Sequence, residues 1–138
     1  MIIKINSIKT LKITNNFNYV VCIDKKFEFN NLKSISKNII YTDFRKFVYE
    51  KNVKKRILSF DLNTKNKIIF IKVEKKFEKS EIETLGAELY SHLKNEEIKD
   101  VVIDTTYIDK SFQNNFIGYF LHGFKLKSYE FRIYKSNQ

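Results

Sequence analysis

The order of hydrophobic and polar residues predicts strands, most of them in the first half of the chain. An alternation that begins at Ile3 and Ile5 and reaches Ile13 predicts a first strand within residues 1–13, because alternate residues of a strand lie on the same side. Continuous apolar runs are typical of strands that are buried on both faces. Three such runs cover residues 19–23, 68–71 and 101–103, so we expect fully buried strands at the centre of a sheet.

Weaker patterns lie between these runs. Residues 39–41, 47–49 and 57–62 have the composition of short strands, and the spacing of Leu32 and Ile35 allows a short helix. The polar residues 63–66, Asn-Thr-Lys-Asn, predict a turn. Residues 50–56 form a basic loop, which is either the solvated tip of a hairpin or a contact for phosphate.

The second half of the chain predicts two helices. Ser80 and Glu83 have the spacing of a capping box, so the first helix is expected to begin at Ser80 and to fade near Asn95. Gly86 and Ala87 are small enough to allow a close approach of this helix to the sheet. Apolar residues with spacings of three and four form one stripe along the helix, namely Ile82, Leu85, Leu89 and Leu93.

The second predicted helix begins near Ser111 and ends near Gly123. An aromatic face of this helix is expected to pack on the sheet or on another domain, because phenylalanine recurs at every fourth position, Phe112, Phe116, Phe120 and Phe124. Tyr129 and Phe131 are two residues apart, a spacing that places them on one side of an extended segment. We therefore expect an extended aromatic segment, Tyr129–Tyr134, after the last turn of this helix.

A block of strands followed by strand, helix, strand and helix predicts an α/β fold. Strand–helix–strand units join parallel strands through a right-handed crossover. The expected architecture is therefore a mixed sheet with helices packed on its faces. A length of 138 residues fits a single domain that covers residues 1–138.

Composition limits the classes of protein to which the chain can belong. No apolar run approaches the roughly 18 residues of a membrane-spanning helix, and the N-terminus lacks the apolar stretch and cleavage site of a signal peptide. We expect a cytoplasmic protein with no membrane partner. The net charge of +10 comes from 23 Lys and only 3 Arg. Arg recognises bases and phosphates better than Lys does, so the scarcity of Arg favours AT-rich codon usage as the origin of the positive charge. Weak DNA binding is the alternative.

Few residues have the pattern of a catalytic site. Cys22 lies inside an apolar run, where a thiol is more often an inert core residue than a nucleophile. His92 and His122 lack a metal-binding spacing, and the chain has no Ser-His-Asp order, phosphate-binding loop or Gly-rich dinucleotide turn. The carboxylates around the third apolar run have the positions of turn and helix caps, namely Asp100, Asp104 and Asp109. We therefore expect no catalytic, cofactor-binding or metal-binding residue in this chain.

The end of the chain carries a more specific pattern, Gly-x-x-Leu-x-Ser-Tyr-x-Phe-x-x-Tyr-Lys over residues 123–135. This pattern resembles the end of the small N-terminal domain of the leucyl (cytosol) aminopeptidase family, just before the linker to the catalytic domain. Arg132 departs from it, since the family commonly has an acidic residue there. The matching positions are Gly123, Leu126, Ser128, Tyr129, Phe131, Tyr134 and Lys135.

The resemblance extends over residues 67–136. The predicted strand within residues 67–75, the Gly86–Ala87 step in the following helix and the run at 101–103 are similar in order to the corresponding part of that domain. The family strand typically ends in Gly-x-Gly-Lys. Here those glycines are absent, and Lys72 and Glu74 occupy the region, which puts a phosphate-cradling role of this loop in doubt.

The resemblance implies a macro-domain-like fold and a non-catalytic, structural role in a cytosolic metallo-aminopeptidase, which removes N-terminal amino acids from peptides. In that family two divalent metal ions, zinc or manganese, activate water and polarise the carbonyl. Their ligands lie in a C-terminal domain with an Asn-Thr-Asp-x-Glu-Gly-Arg motif, which these 138 residues lack. The implied partners are the protein's own catalytic domain and the other subunits of a homohexamer. A macro-like ADP-ribose binder is a further alternative.

Overall fold

A computed structural model describes residues 2–6, 18–24, 44–47, 56–74, 77–105, 108 and 110–136. The chain divides into two compact units. The sheet unit comprises Met1–Glu74 and Asp100–Asp109, and the helical unit comprises Lys75–Lys99 and Lys110–Gln138. The fold class is α/β, as the sequence predicts.

The described residues of the sheet unit form one mixed sheet of five strands. Its strands are β1 (Ile2–Asn6), β2 (Asn18–Ile23), β3 (Ile57–Asp61), β4 (Lys67–Lys72) and β5 (Asp100–Asp104). Their order is β1-β5-β2-β4-β3. The first four strands of this order run parallel to their neighbours, and β3 pairs antiparallel with β4. The sheet is therefore largely parallel, with one antiparallel strand.

The central strands β2 and β4 are buried on both faces, as their continuous apolar sequences predict. Residues 19–23 of β2 and the apolar residues 68–71 of β4 are all buried. Strands of this kind gain hydrophobic burial from every residue, whichever side it faces. The sheet core is therefore centred on these two strands.

One face of the sheet carries an aromatic cluster. Phe44 and Phe47, which belong to a helical segment, α1 (residues 44–47), are buried in this cluster together with Phe60 and Phe70. The Phe70 ring contacts the Phe44 ring at 5.0 Å and the Phe60 ring at 6.1 Å between centroids, both edge-on. Edge-to-face pairs of this kind contribute about 0.5–1.5 kcal/mol beyond their buried area. These contacts hold α1 against the sheet.

The helical segment α1 corrects one expectation from the sequence, and the turn at residues 63–66 confirms another. The predicted strand at 47–49 is wrong at Phe47, because residues 44–47 are helical. The spacing of three places Phe44 and Phe47 on the same side of that helix. The predicted turn at 63–66 is confirmed, and Asn63 Oδ1 accepts the backbone N–H groups of Lys65 and Asn66, each at 2.8 Å. Other predicted segments lie outside the described residues, namely 8–13, 32–35 and 39–41.

A side-chain amide links the amino ends of three parallel strands. Asn18 Nδ2 donates to the carbonyl oxygen of Asp100 at 3.1 Å, and Asn18 Oδ1 accepts the backbone N–H of Lys67 at 2.8 Å. Because β2 lies between β5 and β4, one amide satisfies a backbone group on each side. Asn18 therefore helps to fix the register of these strands.

The helical unit consists of α2 (Lys79–Asn95) and α3 (Lys110–Ser136). The predicted apolar stripe of α2 is confirmed as buried, and so are Phe116, Phe120 and Phe124 of α3, whereas the side chain of Phe112 lies outside the described part. Tyr90 of α2 meets Phe124 of α3 edge-on at 5.1 Å between centroids, and Phe116 stacks on Phe120 at 5.2 Å. Among the side chains of α2 and α3 that the structure describes, the buried apolar ones are Ile82, Leu85, Leu89, Leu93, Phe116, Phe120 and Phe124.

Two glycines allow the backbones of α2 and α3 to come into direct contact. A Cβ atom on Gly86 would lie 2.9 Å from the backbone nitrogen of Phe124, and closer still to the carbonyl oxygen of Phe120. A Cβ atom on Gly123 would lie 2.6 Å from Glu83 Cα, and closer still to its carbonyl oxygen. The close approach that Gly86 permits is thus to α3, which corrects the expectation of an approach to the sheet.

The ends of α2 differ in their agreement with the sequence. The capping-box prediction is wrong, because the helix begins at Lys79 and its N-cap is Glu78, which makes no side-chain capping hydrogen bond. The C-terminal end near Asn95 is confirmed. There Glu97 has a φ of 57°, and the N–H groups of Glu97 and Ile98 donate to the carbonyl oxygens of Lys94 and Leu93. These two bonds define a Schellman motif with glutamate where glycine is usual.

The largest difference from the sequence-based prediction lies in the C-terminal segment. α3 continues through Gly123 to Ser136, so the segment Tyr129–Tyr134 is helical and not extended. Gly123 does not end the helix, because its backbone keeps a negative φ. A helical backbone does not place residues two apart on one side, so the argument from an extended backbone does not hold for Tyr129 and Phe131.

Candidate functional site at the carboxyl edge of the sheet

The carboxyl ends of four parallel strands lie at one edge of the sheet. β1 ends at Asn6, β5 at Asp104, β2 at Ile23 and β4 at Lys72. Asp104 is in register with Asn6 on one side and with Val21 on the other, and Lys72 is in register with Ile23. Open α/β sheets bind ligands outside this edge, which makes it the candidate site.

Three polar side chains are buried at this edge. Asp104 is 0% exposed, Lys72 5% and Thr105 7%. Burial of a charge is costly unless the group is paired, and each of these residues takes part in a further interaction. Lys72 and Asp104 lie two strands apart and two residues out of register, which separates their Cα atoms by about 12 Å.

The backbone that follows β4 is already engaged in hydrogen bonds. The Lys72 N–H donates to the carbonyl oxygen of Arg56 at 3.0 Å, and the Val73 N–H donates to the carbonyl oxygen of Ile23 at 2.8 Å. A phosphate cradle needs backbone N–H groups that point to the ligand. Two such groups at the start of this loop are therefore committed to the sheet, and the loop lacks glycine between Lys72 and Glu74.

Cys22 lies next to this edge but cannot act as a nucleophile in the folded protein. Its side chain is completely buried. Burial raises the pKa of the Cys22 thiol, and the negative charge of Asp104 raises that pKa further. The thiol therefore stays protonated, which agrees with a role as a core residue.

The carboxylates of β5 are separated by the length of the strand. Asp100 is exposed at its first residue, and Asp104 is buried at its last. A rise of about 3.3 Å per residue places their Cα atoms about 13 Å apart. The two carboxylates therefore do not form a catalytic pair, and Asp109 lies outside the described residues.

The histidines lie in the helical unit. The His122 side chain is 55% exposed, with its Nδ1 atom 3.4 Å from Glu83 Oε1, and the Lys79 ammonium lies 3.9 Å from the same oxygen. Lys79 also lies 5.3 Å from the centroid of the Tyr119 ring. Exposed contacts of this kind contribute little stability. His92 is partly buried in the last turn of α2.

The described residues contain no group of three or more His, Cys, Asp or Glu side chains that could hold a metal ion. In the same part of the chain, no helix is both long and apolar enough to cross a membrane. Of the basic loop at 50–56, only Arg56 is described, and its carbonyl oxygen pairs with β4.

Some structural features of the sheet have no signal in the sequence. Lys72 ends an apolar run, where a lysine normally marks the exposed end of a strand, yet its side chain is buried. Asn18 precedes the apolar run of β2, and asparagine is a residue type that is common in turns. Its bonds to β4 and β5 depend on strand neighbours that are distant in sequence, and local patterns carry no information about them.

Comparison of the chain with protein-family models, with curated proteins and with solved structures finds no match in any of the three.

Proposed function

We propose that this chain is the non-catalytic N-terminal domain of a cytosolic metallo-aminopeptidase of the leucyl type. In this proposal the domain supports the assembly and placement of a catalytic domain that follows it. The sequence resemblance is the origin of the proposal, and the arrangement of the second half of the chain supports it.

The observation that carries the proposal is the crossing of α2 and α3. Gly86 and Gly123 are the two glycines on which the resemblance depends, and both lie at this crossing, each against the backbone of the other helix. The two glycines, although separated in sequence, therefore share one structural role, which supports the proposal. The order β4-α2-β5-α3 also agrees with the order in the family domain.

The finer fold assignment within this proposal is a macro-domain-like sandwich. A largely parallel sheet with an antiparallel strand β3 at one edge is compatible with it. α3 carries the terminal motif on a continuous helix to Ser136. In this proposal the helix leads directly to the linker of the catalytic domain.

Catalysis is assigned to the domain that follows, where the family pattern places two zinc or manganese ions. At the carboxyl edge of the sheet, the thiol of Cys22 is completely buried and the carboxylates of β5 lie at opposite ends of the strand. The expected contribution of this chain is to the homohexamer and not to peptide hydrolysis.

The test uses the protein expressed from the whole reading frame that contains this chain, together with a variant that lacks residues 1–138. We expect the whole protein to hydrolyse leucine p-nitroanilide when manganese or zinc is added, and to sediment as a hexamer. The shortened protein is expected to lose the hexamer and to keep its metal-binding residues. A whole protein without metal-dependent aminopeptidase activity would contradict the proposal.

Nucleic-acid binding is the second candidate, and the net charge of +10 favours it. Exposed cations occur in both units, with Arg45 and Lys46 on α1 and with Lys125 and Lys127 on α3. Binding through phosphates would weaken steeply with salt, with a slope close to the number of phosphates neutralised. Titration of a DNA duplex at low salt tests this candidate, and the absence of binding there would remove it.

ADP-ribose binding is a weaker candidate. The amides of Lys72 and Val73 already donate to the carbonyl oxygens of Arg56 and Ile23, so this loop cannot offer them to a diphosphate without breaking sheet hydrogen bonds. Calorimetry with ADP-ribose is expected to show no binding. Saturable heat at micromolar ligand would restore this candidate.

A further inference from the structure

No further inference is drawn: the strongest candidate, the exposed Leu126 between Lys125 and Lys127 on α3, is an apolar surface for which nothing in the described structure shows what covers it.

Discussion

Replacement of Gly123 with alanine is expected to destabilise the protein, although alanine is the better helix former. The new Cβ atom would lie 2.6 Å from Glu83 Cα and closer still to the carbonyl oxygen of Glu83. Both atoms belong to the backbone of α2, so no rotation of a side chain can relieve the contact. The two helices would have to separate.

The magnitude follows from two opposing contributions. Helix propensity favours alanine over glycine by about 1 kcal/mol. Overpacking of a close contact typically costs about 1–3 kcal/mol, and we expect a value at the upper end because the obstructing atoms are backbone. The net loss in the free energy of unfolding for Gly123→Ala is therefore about 2 kcal/mol. Gly86→Ala is expected to behave in the same way, because its Cβ would meet Phe120 and Phe124.

Gly118→Ala is the matched control, since it makes the same substitution in the same helix. Gly118 is exposed, and a Cβ atom there would have nothing within 4 Å. Only the propensity contribution remains, so this variant is expected to gain up to about 1 kcal/mol. The two alanine variants of α3 should therefore differ by about 3 kcal/mol.

Urea denaturation followed by far-ultraviolet circular dichroism measures both changes. For a chain of this size, about 1 kcal/mol corresponds to roughly 4 °C in Tm, so thermal unfolding should separate the variants clearly. If Gly123→Ala proves as stable as Gly118→Ala, the backbone contact between α2 and α3 is not present and the reasoning fails.

Four further predictions test other parts of the fold. Glu97→Gly should raise the free energy of unfolding by about 1 kcal/mol, because it removes a side chain from the left-handed position of the α2 C-terminus; a loss of stability in urea would show that Glu97 is not strained. Asn18→Ala should cost about 1–3 kcal/mol through two lost hydrogen bonds, and a change below about 0.5 kcal/mol would mean that the amide does not link the strands. Phe120→Ala should cost about 3–5 kcal/mol because the ring is completely buried, and an unchanged Tm would place α3 elsewhere. The Cys22 thiol has a folded-state pKa above its ordinary value of 9.0. Its contribution to the free energy of unfolding is therefore fully present below about pH 9 and should fall as the pH rises further. The fall relative to Cys22→Ala should reach about 1.4 kcal/mol per pH unit, and parallel pH profiles would contradict this.

Strands β2 and β4 were predictable because every residue of their cores is apolar, a pattern that local sequence alone reveals. The buried stripe of α2 was predictable for the same reason, from Ile82 to Leu93. In each of these elements, the local pattern and the three-dimensional environment agree.

The errors arose where one local signal fits two structures. Gly123 has the sequence features of a helix end, but the residue serves a helix crossing, and the crossing partner Glu83 is distant in sequence. Ser80 and Glu83 have capping-box spacing, yet the helix begins at Lys79. The burial of Lys72 likewise depends on neighbours that only the folded sheet brings together.

The central claim is that this chain precedes the catalytic domain of a metallo-aminopeptidase. The most direct measurement is the nucleotide sequence of the coding region downstream of the codon for Gln138. The account predicts that the reading frame continues into a domain that contains an Asn-Thr-Asp-x-Glu-Gly-Arg motif. A stop codon directly after Gln138, or a continuation without that motif, would contradict the claim and leave nucleic-acid binding as the leading proposal.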